Sequence, residues 1–169
     1  EPSCLYTLRD EAPALLPGQD AEVVASRALL LEEFLDREWD QGRPFPLGGS
    51  GATEREAPER RSLLVHGHCH QKAFGGLGAT LRVLGRIPGV RVEPIESSCC
   101  GMAGAFGYHA EHYELSMRMG ELALFPAVRG AAADATIVAD GTSCRAQIAD
   151  GTGRQAVHAA VVLAEALGA

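Results

Sequence analysis

At 169 residues, with 46% hydrophobic and 5% aromatic side chains, the chain is the size of one domain and can build an ordinary core. Its 15 basic and 22 acidic residues leave a formal charge of -7, which argues against the clustered basic face of a nucleic-acid binder. No apolar run approaches the ~20 residues that span a bilayer, and no charged-then-apolar leader points to secretion. A cytoplasmic protein is expected, with peripheral contact at the inner face of the membrane left open.

The sequence opens on Glu1-Pro2-Ser3-Cys4, without an initiator Met, and reads as a piece of something longer. A helical pattern (Leu5, Leu8, Leu15, Leu16) is interrupted by Pro13 and broken at Pro17-Gly18. Asp20 is placed to cap a helix running to about Trp39, with Val24, Ala28, Leu31 and Leu35 on one face. Residues 40–61, rich in proline, glycine and charge, are expected as a surface excursion from a single domain spanning 1–169.

Thereafter short apolar runs alternate with helical patterns. Leu63-Leu64-Val65 leads into His66-Gly67-His68-Cys69-His70 and a helix from Gln71 to about Gly85. Val90 to Ile95 leads to Cys99-Cys100 and a helix from about Ala105 to Phe125, stopped by Pro126. Thr136 to Ala139 leads to Asp140-Gly141-Thr142-Ser143-Cys144, and a last helix covers about Arg154 to Leu167, with Gly168 at its C-cap position. Such alternation predicts an α/β fold, a Rossmann-like parallel sheet with helices on both faces. No Gly-x-Gly-x-x-Gly follows a strand, so dinucleotide binding is not implied.

Five cysteines, an odd number in a chain long enough to need no staples, fit a disulfide framework badly and point to a reducing compartment. Taken singly, Cys4 or Cys144 reads as a small buried hydrophobe. Together, Cys69, Cys99, Cys100 and Cys144 each follow a predicted strand, and in a parallel sheet those turns share the C-terminal edge where ligands bind. Cys4 would obey the same rule if a strand preceded it. Helix N-termini there would favour thiolates, and the amides of Gly101, Gly104 and Gly141 can donate to sulfur. His66, His68 and His70 crowd Cys69, and strand alternation, if it continued that far, would set all three opposite to Cys69. His66 taken alone suits a structural role, whereas His70 is the candidate donor to a ligand, or a substitute ligand. Lys72, Arg145 and Gln147 follow site cysteines and are weighed evenly between anion contacts and solvated helix starts.

The runs His66-x-x-Cys69-His70, Cys99-Cys100-Gly101-Met102-Ala103-Gly104 and Gly141-Thr142-Ser143-Cys144 resemble the cysteine-rich CCG domain. That domain occurs in heterodisulfide reductase and in the iron–sulfur subunits of glycolate oxidase, lactate oxidation systems and anaerobic glycerol-3-phosphate dehydrogenase. With Glu1 to Cys4, the extended runs His66 to Ala73, Ser97 to Tyr108 and Ser143 to Ile148 look more like the C-terminal part of large FAD-linked oxidases of D-2-hydroxy acids, such as D-2-hydroxyglutarate or D-lactate.

The resemblance implies an iron–sulfur electron-transfer module with no catalytic residue of its own. It would serve an upstream FAD-carrying flavin domain of the same parent chain and a downstream electron acceptor. It maps Cys69, Cys99, Cys100 and Cys144 onto cluster ligands, with His66, His70, Gly101, Gly104 and Gln147 around them. The family pattern commonly ends Cys-x-x-Cys, whereas Cys144-Arg145-Ala146 is followed here by Gln147, leaving Cys4 as candidate for the missing thiolate. A four-cysteine 4Fe-4S cubane, a five-cysteine non-cubane cluster and a zinc site stay open, the last as part of a structural domain without redox role. A thiol–disulfide enzyme using Cys99 and Cys100 is disfavoured, because adjacent cysteines close a strained ring.

Overall fold

A computed structural model describes residues 1–46 and 61–168. Most of the excursion expected over 40–61 therefore lies outside the described residues. Among those described, four strands form one parallel sheet: β1 (Arg61–His66), β2 (Val90–Pro94), β3 (Thr136–Ala139) and β4 (Ala156–Val157), in the order β2-β1-β3-β4. Leu63 pairs with Val92 on one side and Thr136 on the other, so the strand ends after His66, Pro94 and Ala139 lie on one edge.

Alternation along the strands sorts the apolar residues between two cores. Leu63, Val65 and Val138 face Val83, Leu84, Val162 and Leu163, which come from α6 (Leu77–Gly85) and α10 (Ala159–Leu167). Leu64, Ile137 and Ala139 face Leu124, Phe125 and Val128 of α8 (Leu124–Gly130) and Ile148 of α9 (Thr142–Thr152). The expected α/β architecture, a parallel sheet with helices on both faces, is present. Cys100, Met102 and Cys144 belong to the second core, so two of the five cysteines serve as core packing.

Several expected helices are divided. The pattern from Asp20 to Trp39 is two helices, α3 (Gln19–Arg27) and α4 (Leu31–Asp40), because Ala28 and Leu30 are extended. Arg9 Nε donates to Ala28 O at 2.7 Å and Leu30 N to Glu33 Oε2 at 2.9 Å, which satisfies the groups freed by the break. Gly18, not Asp20, is the N-cap of α3, and Asp20 sits in its first turn. The segment after Cys69 is α5 (Cys69–Ala73) and α6, parted at Phe74-Gly75-Gly76.

After Cys100 comes a short 3-10 turn (Phe106–Tyr108), then α7 (Ala110–Glu121) and α8. Pro126 does not stop the long helix: it lies in the first turn of α8, where a missing N–H costs nothing. The C-terminal pattern resolves into β4 and α10, preceded by α9, and Gly168 closes α10 in a left-handed conformation as expected.

The N-terminal segment, α1 (Pro2–Tyr6), a π turn (Thr7–Glu11) and α2 (Ala12–Leu15), is held against the sheet edge. Tyr6 is buried and stacks on Phe74 at 4.9 Å, while Arg9 pairs with Glu33 at 2.9 Å. Glu1 Oε2 accepts from Thr142 N at 2.8 Å and Thr142 Oγ1 at 2.9 Å, capping α9. No helix among the described residues is long and apolar enough to cross a membrane.

Candidate metal centre

Three loops leave the C-terminal edge of the sheet carrying sulfur. Cys69 opens α5 directly after β1, Cys99 and Cys100 lie in the loop after β2, and Cys144 is the third residue of α9, after β3. The loops are tied to one another by a buried amide. His68 N donates to Gln71 Oε1 at 3.2 Å, and Gln71 Nε2 donates to Thr80 Oγ1 at 2.8 Å and Asp140 Oδ2 at 3.2 Å. Gln71 therefore sets Cys69 against the Asp140–Cys144 turn. Lys72 Nζ donates to Ser98 O at 2.5 Å and also to Ser97 O, fixing the loop before Cys99.

The loop from Gly101 to Gly104 is wound by positive φ angles, at Gly101 (102°), Ala103 (42°) and Gly104 (68°). Gly101 has no alternative: a Cβ there would lie 2.2 Å from Ser116 O. This winding aims Gly101 N at Cys99 Sγ, 3.3 Å away. Gly141 is equally constrained, since its Cβ would meet the His68 ring at 2.6 Å and Cys144 Sγ at 3.0 Å.

The four thiols neighbour one another in a row, Cys69 beside Cys99, Cys99 beside Cys100 and Cys100 beside Cys144. Hydrogen bonds from Cys100 and Cys69, joined by the amides of Gly101 and Ala103, hold Cys99 far below the usual thiol range. The bond from Cys100, with His66 and His68 adding to it, draws Cys144 down to about 5. Cys69 is pushed up by the hydrogen bond it gives Cys99 and by burial, and Cys100 by those it gives Cys144 and Cys99. Four sulfurs on one edge, two of them with lowered pKa, form a soft donor set suited to iron or zinc.

A cavity of about 360 Å³ opens beside this row, walled by Cys69, Cys99, Cys100, His68, His70, Ser3, Ala103, Gly104 and Ser143. That is about a dozen waters' worth at ~30 Å³ each. Two larger hollows, of about 610 and 470 Å³, are lined by neither cysteine nor histidine and lie away from the sulfur.

The other expected site residues divide. His66 is 1% exposed, and a ring nitrogen lies with Cys100 Sγ and Cys144 Sγ in a group whose donor atoms all fall within 4.8 Å of one another. His70 walls the cavity with a buried Nδ1 that has no hydrogen-bond partner. Strand alternation does not extend past His66; instead His68 caps α5, its Nδ1 accepting from His70 N at 3.3 Å.

Cys4 is exposed on α1 and is not among the cavity-wall residues, although its neighbour Ser3 is, with Oγ 3.3 Å from His68 Nε2. The side chains of Lys72, Arg145 and Gln147 are engaged within the protein rather than held out for an anion. Arg145 donates to Ala139 O and Asp140 O at 2.9 and 2.8 Å, and Gln147 to Ser116 O and Oγ at 3.1 and 2.9 Å. Ser97, whose Oγ lies 2.9 Å from His66 Nδ1, was missed in sequence. Nothing in the spacing pairs residues 31 apart; only the β1–β2 register does.

No model of a protein family matches the chain, and neither does any solved structure. Among curated proteins it is 32% identical over 165 residues to one subunit of the anaerobic glycerol-3-phosphate dehydrogenase of Escherichia coli (strain K12), covering 98% of this chain and 39% of that protein. It is 33% identical over 95 residues to D-2-hydroxyglutarate dehydrogenase of Escherichia coli (strain K12), covering 54% of this chain and 9% of that protein. The chain thus spans well under half the length of either relative. It is similar over nearly all of its own length to part of a dehydrogenase subunit, and over about half of it to part of a second dehydrogenase.

Proposed function

We propose that this chain is an iron–sulfur electron-transfer module of the CCG type, working within an FAD-linked oxidoreductase that oxidises a D-2-hydroxy acid of the D-2-hydroxyglutarate or D-lactate kind. The observation that carries the proposal is the row Cys69–Cys99–Cys100–Cys144, drawn from three separate strand ends, with Cys69, Cys99 and Cys100 walling one cavity. The names of the two relatives differ in substrate and agree in being dehydrogenases. What such proteins would share in this region is then passage of electrons rather than recognition of the substrate. On this proposal the flavin and the substrate pocket belong to a flavin domain of the same parent chain, and an acceptor takes the electrons onward. The setting is the cytoplasm, with the inner face of the membrane as a place of contact.

The donor set fits such a group. A single tetrahedral ion needs four donors mutually close, as in structural zinc sites. Among the described residues the only sulfur-containing group of three or more within 4.8 Å is His66, Cys100 and Cys144, so the four sulfurs are strung out rather than gathered around one point. The thiolates of Cys69, Cys99, Cys100 and Cys144 would hold the cluster, with Cys4 as a further candidate, and the Gly101 amide would donate to the sulfur of Cys99. The cluster when bound supplies one-electron storage. The chain's own part is to ligate it, to set its potential through amide–sulfur hydrogen bonds, and to keep it partly dry.

A second proposal is a structural zinc domain, favoured by the closeness of His66, Cys100 and Cys144. Anaerobic purification of the full chain separates the two by measured iron, acid-labile sulfide and zinc, and by visible absorption before and after dithionite. Iron with sulfide and bleaching on reduction is the expected result. Stoichiometric zinc without sulfide, and no bleaching, would sink the cluster.

A further inference from the structure

Resting on the metal-centre proposal above, we infer that His66 Nε2 is itself a ligand of that centre, supplying nitrogen at the end where Cys100 and Cys144 meet. This gives the position left without sulfur by Gln147 to a histidine of β1 rather than to Cys4.

Four observations converge on it. His66 is the last residue of β1, and its place in the alternation puts its side chain on the same sheet face as Leu64, Ile137 and Ala139, the face that packs against Cys100 and Cys144. One ring nitrogen lies within 4.8 Å of both those sulfurs, and they lie within 4.8 Å of each other, as donors around one metal would. Nδ1 sits 2.9 Å from Ser97 Oγ, whereas Nε2 is buried with no hydrogen-bond partner.

An imidazole has one donor and one acceptor nitrogen when neutral, and a buried nitrogen left unpaired costs its full desolvation. A metal on Nε2 removes that cost. The Ser97 hydroxyl on Nδ1 is the kind of outer partner that holds a ligating histidine in one tautomer and ring orientation.

The competing donor, Cys4, lacks these features. Its thiol is exposed on α1. Gln147, where a cysteine would complete Cys-x-x-Cys, is 2% exposed and spends its amide N–H on Ser116 O and Oγ. A carboxamide so engaged holds α9 to α7 and is not free to ligate.

The test uses the full chain, prepared anaerobically and compared with His66→Asn, His66→Cys, Ser97→Ala and Cys4→Ser. Metal and sulfide are quantified first, and X-ray absorption is then recorded at the edge of whichever metal is present, iron or zinc. For an iron sample, pulsed EPR of the reduced protein with ¹⁵N-histidine adds a direct reading of nitrogen coupling.

Expected is one nitrogen scatterer at about 2.0–2.1 Å if the metal is zinc, or a strongly coupled histidine nitrogen if it is an iron cluster. His66→Asn should abolish that signal and lower metal retention against chelator at least about tenfold. Ser97→Ala should lower retention by about 10–100-fold, His66→Cys should restore metal without the nitrogen signal, and Cys4→Ser should change neither. Circular dichroism of His66→Asn separates loss of ligation from loss of fold, and His66→Cys gives the answer if the Asn variant does not fold.

A metal-loaded wild type without a histidine nitrogen, or one whose nitrogen signal survives in His66→Asn or His66→Cys, overturns the inference and leaves the cluster proposal standing. Zinc carrying the nitrogen overturns the cluster proposal and leaves His66 as a ligand. A full chain that takes up neither metal overturns both.

Discussion

Replacing Glu32 by Gln should remove a pH dependence from the stability of this protein. Glu32 lies in the first turn of α4, 1% exposed, and its Oε1 has no hydrogen-bond partner. One of its carboxyl oxygens lies within 4.8 Å of a carboxyl oxygen of Asp140 and a ring nitrogen of His158. Burial, and then the Asp140 carboxylate, push its pKa from 4.5 up to about 7. The folded state thus keeps a proton that the unfolded chain releases. The contribution is fully present below about pH 4.5 and is lost as pH rises through about 7.

Between about pH 5 and pH 8 that loss amounts to about 2.5 kcal/mol for a single group with these two pKa values. Gln keeps the shape and the neutral charge of the protonated acid, so the variant should be spared it. Urea unfolding of wild type and variant across this pH range measures the difference directly. A variant that gains about 2.5 kcal/mol relative to wild type between the two ends of the range bears the argument out. Parallel curves, offset by a constant, would refute it and mean that Glu32 titrates alike in the folded and the unfolded chain.

Two further substitutions probe what positions the site. Asp36→Ala should lower unfolding stability by about 2 kcal/mol, read as a shift in the denaturant midpoint. It strips the carboxylate that takes Arg82 Nη2 at 2.6 Å and Nε at 3.0 Å, and Arg86 Nη1 at 2.7 Å, and so joins α4 to α6. Gly101→Ala should cost about 2–3 kcal/mol, because it combines an unfavourable positive φ with a Cβ 2.2 Å from Ser116 O. Metal retention should fall with it, since the same residue's amide donates to Cys99; unchanged melting temperature and metal content would show that the loop has another conformation open to it.

The sheet was legible in sequence because its strands are short apolar runs ending in turns, and β1, β2 and β3 fall within two residues of the expected Leu63–Val65, Val90–Ile95 and Thr136–Ala139. Helix breaks were not. Ala28 to Leu30 carries no proline or glycine, and the chain leaves the helix there because Arg9, far away in sequence, takes the carbonyl of Ala28. The helix α9 was hidden for a different reason: Thr142 to Thr152 has no apolar stripe, and its start is capped by Glu1 from the other end of the chain.

By itself the sequence determined that sulfur would gather on one edge of a parallel sheet, since a cysteine placed after each strand can go nowhere else when every strand points the same way. What only the tertiary structure decided is which groups face each other on that edge. Two of the strand-end loops are tied together by one buried amide, Gln71, and the order of the sulfurs runs from Cys69 to Cys144 with His66 at one end. As letters, Cys4 is the candidate ligand and His66 the structural residue. In the folded chain one is exposed on α1 and the other is buried, with one nitrogen unpaired and a ring nitrogen within 4.8 Å of two sulfurs. That distinction comes from strand register and burial, which no local pattern of residues encodes.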